Sequence, residues 1–168
     1  VTTPSSARRE PDLHVTFVCT GNICRSPMAE KVFAQYLREA GLESSVRVSS
    51  AGIDGWHEGE GADPRTVAEL DAHGYDSEHE AAQVGEDHMS ADLLVALDTG
   101  HAGQLLQLGV PAERIALLRS FDDDADSESV ADPYYSSDDA FTEVREQIEA
   151  AMPGLVTWVS DRVSDEPS

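Results

Sequence analysis

Val18-Cys19-Thr20-Gly21-Asn22-Ile23-Cys24-Arg25-Ser26-Pro27 separates two segments of different period, and its reading decides the fold. Before it, residues 13–18 alternate and then run apolar, as a buried first strand does. After it, Met28, Val32, Phe33, Tyr36, Leu37 and Ala40 recur at helical spacing until Gly41 supplies a stop. Ser26 is expected to cap that helix and Pro27 to take its first position. Cys19 then lies on a strand-to-helix loop, where convergent main-chain N–H groups and the positive end of a helix dipole make an anion site suited to a tetrahedral phosphate.

Within the loop each residue type has a chemical use. Five residues separate Cys19 from Arg25, so the loop can wrap an anion with sulfur beneath it and a guanidinium fork gripping two oxygens from the rim. A free thiol has a pKa of about 8.5, and such electropositive surroundings lower it to roughly 3.5–7.5, which makes Cys19 the expected nucleophile. The phosphate-binding set is Thr20, Gly21, Asn22, Ile23, Cys24, Arg25 and Ser26, and the Ser26 hydroxyl is placed to donate to the sulfur. Gly21 permits a crowded or left-handed backbone, and Asn22 tolerates one better than most residues. Metal binding by Cys19 and Cys24 is rejected because no second cysteine pair or closely spaced histidine pair completes a ligand set.

Cys-Thr-Gly-Asn-Ile-Cys-Arg-Ser-Pro resembles the signature of the low-molecular-weight protein tyrosine phosphatases, and the resemblance runs over residues 13–163. It implies a catalytic domain over that span, between a disordered tail at 1–12 and a short tail at 164–168. It also carries further residues. Trp56 and His57, in the loop after Ser50-Ala51-Gly52, are implied as recognition residues on one wall of the substrate cleft, and Ser50 as a support of the phosphate loop through Asn22. His79, in His79-Glu80-Ala81-Ala82-Gln83, is implied as a second support of that loop, although Glu80 stands where the family pattern carries a basic residue. Asp132-Pro133-Tyr134-Tyr135 looks like the family's general-acid loop, with Asp132 the acid and Tyr134 and Tyr135 in recognition. From chemistry alone, Pro133 stiffens that backbone, and two rings could form a partly dry wall that raises a carboxyl pKa and stacks on an aromatic leaving group.

Three further strands are expected: residues 46–49, the continuous apolar run 93–97 as a central strand, and 114–118. Helices are expected over 63–73, opened by Asp63-Pro64 and closed by Gly74, and over 99–108, closed by Gly109. Phe141, Val144, Ile148, Met152, Leu155 and Val159 form a long last stripe that Pro153 should interrupt or kink. Strands alternating with helices predict an α/β fold: a three-layer, doubly wound sheet of four parallel strands flanked by helices, with the phosphate loop between first strand and first helix.

The 168 residues suit one domain. A net charge of −22, with Lys31 the only lysine, excludes nucleic acid as a partner, because binding it needs Lys and Arg to neutralise phosphates. The same field should oppose anionic peptides and favour basic ones at long range. No apolar run spans a bilayer and no signal-peptide core opens the sequence, and the two cysteines both lie in the loop. A monomeric cytoplasmic protein without membrane insertion, cofactor or metal is the expectation.

The function expected is hydrolysis of phosphotyrosine in proteins, and of small aryl phosphates, through a cysteinyl-phosphate, with Cys19 as nucleophile, Arg25 as clamp and Asp132 as general acid and then base. Arsenate reduction would need cysteines beyond Cys24 or an external thiol. A phosphotyrosine-binding module without turnover would be expected to lack the thiol, the arginine or the acid. Cys24 carries a separate expectation, a protective Cys19–Cys24 disulfide on oxidation, beside the plainer one of a small packing residue.

Overall fold

A computed structural model describes residues 13–134 and 136–164. The expected tail over 1–12, the role expected of Tyr135 and residues 165–168 lie outside the described residues.

β1 (Leu13–Cys19) ends at the phosphate loop and is buried from Val15 onward, because it lies inside the sheet with covered surfaces on both sides. Its side chains alternate between two apolar clusters. Val15, Phe17 and Cys19 face the larger core, and Val18 faces a smaller one with Leu94, Leu105 and Val110. α1 (Arg25–Glu39) follows and buries Met28, Val32, Phe33 and Leu37 on the sheet. Phe33 meets Phe17 edge-on with ring centroids 5.6 Å apart.

The helix begins earlier than its sequence suggests. Cys24 is the residue before its first turn, so Ser26 and Pro27 lie inside the helix and the Ser26 hydroxyl does not cap it. That hydroxyl is used by the active loop instead, as described below.

β2 (Val46–Gly52) pairs with β1 in parallel over its whole length, Leu13 opposite Val46 and Cys19 opposite Gly52. Ser50, Ala51 and Gly52 therefore belong to the strand, three residues beyond the expected end at 49. The pairing itself explains the extension: Ala51 and Gly52 are small enough to lie under the loop that leaves β1. α2 (Pro64–Ala72) is capped by the Asp63 carboxylate, which accepts from the Arg65 N–H at 2.9 Å. A single turn, α3 (Glu86–Met89), which periodicity does not reveal, precedes β3 (Leu93–Ala96). α4 (Thr99–Gln107), a 3₁₀ turn (Ala112–Arg114), β4 (Ile115–Leu117) and a second 3₁₀ turn (Leu118–Phe121) lead into an irregular acidic segment.

α5 (Asp138–Ser164) closes the chain. The expected interruption at Pro153 does not occur, and the helix runs through it. Proline removes one N–H and clashes with the carbonyl four residues earlier, but Phe141, Val144, Ile148, Met152, Leu155 and Val159 are all buried on one face, so packing stabilises the helix on both sides of the proline.

The four strands run in parallel in the order β2-β1-β3-β4, with helices on both faces, which is the predicted three-layer architecture. Because the chain moves outward from β1 to β2 and then returns to the other side of β1, the direction of winding reverses between β1 and β3. Parallel sheets bind ligands in the crevice that opens at such a reversal, beyond the carboxyl ends of the strands. Cys19 ends β1 at that crevice.

Candidate active site

The phosphate loop rests on Gly52. A Cβ there would lie 2.8 Å from the Thr20 carbonyl oxygen and 2.9 Å from the Asn22 nitrogen, both main-chain atoms, so only glycine lets the loop settle this close to β2. Ile53 N–H donates to the Cys19 carbonyl and Asp54 N–H to that of Thr20, both at 2.9 Å. The segment carrying Trp56 is thereby sewn to the loop.

Asn22 is the pivot of the loop. Its φ is +59°, and among the described residues it is the non-glycine one with positive φ. Its side chain is fully buried and bonded on both ends: Oδ1 accepts from the Ala82 N–H at 2.9 Å, and Nδ2 donates to Ser26 Oγ at 2.8 Å and Ser50 Oγ at 3.0 Å. The Asn22 carbonyl accepts from His79 Nε2 at 2.7 Å. A carbonyl only accepts, so that nitrogen carries the proton. Burial lowers the pKa of His79, in keeping with a neutral ring in that place.

Those bonds reach the sulfur. Since Asn22 already donates to Ser26 Oγ, the Ser26 hydroxyl hydrogen is left for another acceptor, and Cys19 Sγ lies 3.0 Å away. Ser50 in turn donates to Glu30 Oε1 at 2.5 Å. Cys24 is buried beside the nucleophile, and burial, together with the charges of Asp63, Cys19 and Asp132, pushes its thiol up to about 12. Cys24 is thus a neutral thiol at ordinary pH, and both cysteines are free.

Arg25 enters from the first turn of α1 and is 2% exposed. Nη1 donates to Asp98 Oδ2 at 2.9 Å and to the Val130 carbonyl at 2.7 Å. Nη2 lies 3.5 Å from Thr20 Oγ1 and 3.7 Å from Asp132 Oδ2. The guanidinium is therefore anchored on one arm while the other faces the crevice. Burial would raise the pKa of Asp98, but the bond from the His101 N–H and the Arg25 guanidinium hold it below the ordinary carboxylate range.

Asp98 and His101 are absent from the residues singled out in the sequence. Asp98 caps α4 at the carboxyl end of β3, on the far side of the winding reversal from Cys19. His101, one turn later, is 3% exposed, with Nε2 2.9 Å from Thr20 Oγ1 and Nδ1 3.2 Å from Asp98 Oδ1. Burial and the neighbouring Arg25 lower its pKa to about 4. The available signal was positional: a carboxylate directly after a central strand.

Asp132 stands over the same crevice. Its Oδ1 accepts from the Tyr134 N–H at 3.0 Å, a turn that Pro133 stiffens. The Asp132 carboxylate is 46% exposed, and of the two rings expected beside it Tyr134 lies among the described residues. A pocket of about 240 Å³ has Cys19, Arg25 and Asp132 in its lining, with Trp56, His57 and Tyr134 around them. Trp56 is 86% exposed and lies away from the core. The His57 ring is 6.5 Å from that of Tyr134 and closes over Gly21, whose Cβ would lie 3.0 Å from it. Among the described residues no group of three His, Cys, Asp or Glu side chains is placed to hold a metal, and no helix is long and apolar enough to cross a membrane.

The geometry joins a sulfur nucleophile, a fixed guanidinium and a carboxyl group around a space for one tetrahedral anion and a flat substituent. Residues 14–165 match the family model described as low molecular weight phosphotyrosine protein phosphatase. Over 154 residues the chain is 58% identical to low molecular weight protein-tyrosine phosphatase A of Mycobacterium tuberculosis, covering 90% of this chain and 94% of that one. The crystal structure of YfkJ from Bacillus subtilis superposes with a TM-score of 0.85 at 34% identity, covering 92% of this chain and 98% of that one. A structure of the arginine phosphatase YwlE from the same organism superposes with a TM-score of 0.79 at 30% identity, over 88% of this chain and 96% of that one.

Proposed function

The chain belongs to the low molecular weight phosphotyrosine protein phosphatase family, and from that premise we propose that it hydrolyses phosphotyrosine in proteins by a two-step transfer through Cys19. The observation that carries this reading is the common pocket of Cys19, Arg25 and Asp132, with the Asp132 carboxylate 3.7 Å from Nη2 of Arg25.

In the first step the Cys19 thiolate attacks phosphorus in line. The S–P bond forms as the P–O bond to the tyrosine breaks, and Asp132 gives its proton to the departing phenolate oxygen. Arg25 and the main-chain N–H groups of residues 20–26 hold the three non-bridging oxygens, where charge is stabilised without reorganisation. In the second step Asp132, now ionised, takes a proton from water as its oxygen attacks phosphorus. The S–P bond breaks, orthophosphate leaves, and Cys19 returns as thiolate. Assistance by a positioned acid of this kind typically contributes about 10²–10⁴-fold.

Phosphotyrosine fits the aromatic surroundings of Trp56 and Tyr134, and its reach matches a nucleophile at the base of a pocket. Asp98 holds Arg25, while Ser50 and His79 hold the loop through Asn22. The span 13–163 acts as the catalytic unit, with α5 continuing one residue further, and protein substrates with basic flanks suit its charge of −22.

The test is turnover of phosphotyrosine peptide, phosphoarginine peptide and arsenate side by side. The reading expects the first to exceed the others, with Cys19→Ser abolishing turnover and vanadate blocking it. Binding of phosphotyrosine peptide by the parent protein without release of phosphate would sink it.

A further inference from the structure

Arg65 sits in the first turn of α2, where a positive charge opposes the helix dipole, so helix stability does not account for it. Its guanidinium instead joins three parts of the molecule. Nε and Nη2 donate to the two oxygens of Asp63, each at 3.0 Å. Nη2 also donates to the Tyr134 carbonyl at 3.0 Å and Nη1 to the Ser136 carbonyl at 3.1 Å, two and four residues after Asp132. The same group stacks 4.4 Å over the Phe141 ring at the start of α5.

Asp63 supplies the other end of the link. Its main-chain N–H donates to the Ile23 carbonyl, in the phosphate loop, at 2.8 Å. Its side chain is nearly buried, and although burial alone would raise its pKa, the bonds from Arg65 hold it below the ordinary carboxylate range. A continuous path therefore runs from Ile23 through Asp63 and Arg65 to residues 134 and 136, and back through the Tyr134 N–H to Asp132 Oδ1. The links that Arg65 makes are charge-assisted, the stronger kind of hydrogen bond.

We propose that Arg65 is a positioning residue for Asp132: its fork fastens the segment bearing the acid to the loop bearing the nucleophile and so sets the height of the carboxyl group above the sulfur. The inference rests on the reading of Asp132 as general acid. Lysine keeps the charge but cannot bind a carboxylate in bidentate fashion while donating to two carbonyls in fixed directions.

The test compares kcat/KM for two esters, phenyl phosphate, whose leaving oxygen needs a proton, and an aryl phosphate with a strongly acidic phenol, which needs little help. Arg65→Lys and Arg65→Met are expected to lower the first by about tenfold or more, part of the 10²–10⁴ an acid supplies, and the second by less than about threefold. Inhibition by inorganic phosphate should stay unchanged, because the phosphate loop keeps its own supports. In an Asp132→Ala background, Arg65→Met should add less than about twofold, as expected of residues acting through one group. Equal losses on both esters, or a full loss persisting in the Asp132→Ala background, overturns the proposal and leaves Arg65 a structural residue. If Asp132→Ala by itself spares both esters equally, the general-acid reading fails and this inference with it. Should Arg65→Met not fold, Arg65→Lys gives the same ester comparison.

Discussion

The two sides of the crevice are held in opposite ways. On the nucleophile side, residues 22–26 are buried, and Asn22 alone makes four hydrogen bonds, one to Ser26 and three to β2 and residues 79–82. On the acid side, residues 122–137 form no helix or strand among the described residues, and most are exposed. Arginines reach into that segment from packed elements: Arg25 to Val130, Arg65 to Tyr134 and Ser136, and Arg119 to Ser129 and Asp126. One wall is built by interior packing and the other is pinned. Substitutions in the first should damage fold and chemistry together, whereas those in the second should separate them.

The largest effect is expected at Gly52. Alanine there drives a Cβ into main-chain atoms of residues 20 and 22, which cannot rotate away. Overpacking of this kind costs about 1–3 kcal/mol, and with the loop displaced turnover should fall by about 100-fold or more. Denaturant unfolding with kcat/KM measures both, and an active, stable Gly52→Ala would break the contrast.

Asn22 comes next. Glycine and alanine each remove its side-chain bonds, but only alanine also pays for the left-handed backbone, so Asn22→Ala should be less stable than Asn22→Gly by about 1–2 kcal/mol. Equal stabilities would show that the loop relaxes to another backbone.

His101 lies where the two walls meet, and it sharpens the comparison through pH. Its folded pKa of about 4 is below the unfolded 6.5, so the unfolded chain binds the proton first and stability declines as pH falls below about 6.5, until both states are protonated near 4. Between pH 7 and pH 5 this one group should remove about 2 kcal/mol. His101→Asn should flatten that part of the stability curve, read from denaturation midpoints at the two pH values. An unchanged slope would assign the acid sensitivity elsewhere.

The smallest effects belong to the exposed acids. Asp123→Asn and Asp124→Asn should stay within about 0.5 kcal/mol of the parent stability. Raising salt screens the global field beyond about 8 Å at physiological strength and less at higher salt, so turnover of a small aryl phosphate should hold or rise. A steep fall would mean that the pinned wall depends on exposed charge more than on its arginines.

Much of the fold was legible because its period changes are local. The apolar run of β3, the stripe of α5 and the Asp63-Pro64 opening of α2 each announce themselves within one element. The failures share a cause as well. The helical role of Ser26, the extension of β2 through Gly52 and the continuity of α5 at Pro153 depend on what lies across from each residue, and local propensity is overruled there. Arg65 was invisible for the same reason: an arginine in the first turn of a helix carries no signal until the segment it grips is known.

What the sequence by itself determined is the chemistry of a contiguous stretch: a thiol and a guanidinium close together on a strand-loop-helix turn can do little else so economically as hold an oxyanion. Which of the 33 acidic residues would stand over it or brace its arginine was a different kind of question. A family pattern could single out Asp132, but Asp98, His101 and Arg65 come to the crevice only because β3 lies beside β1 and α2 abuts the segment after Asp132. Those adjacencies arise from how apolar faces pack across the whole sheet, a long-range property that no window of neighbouring residues contains.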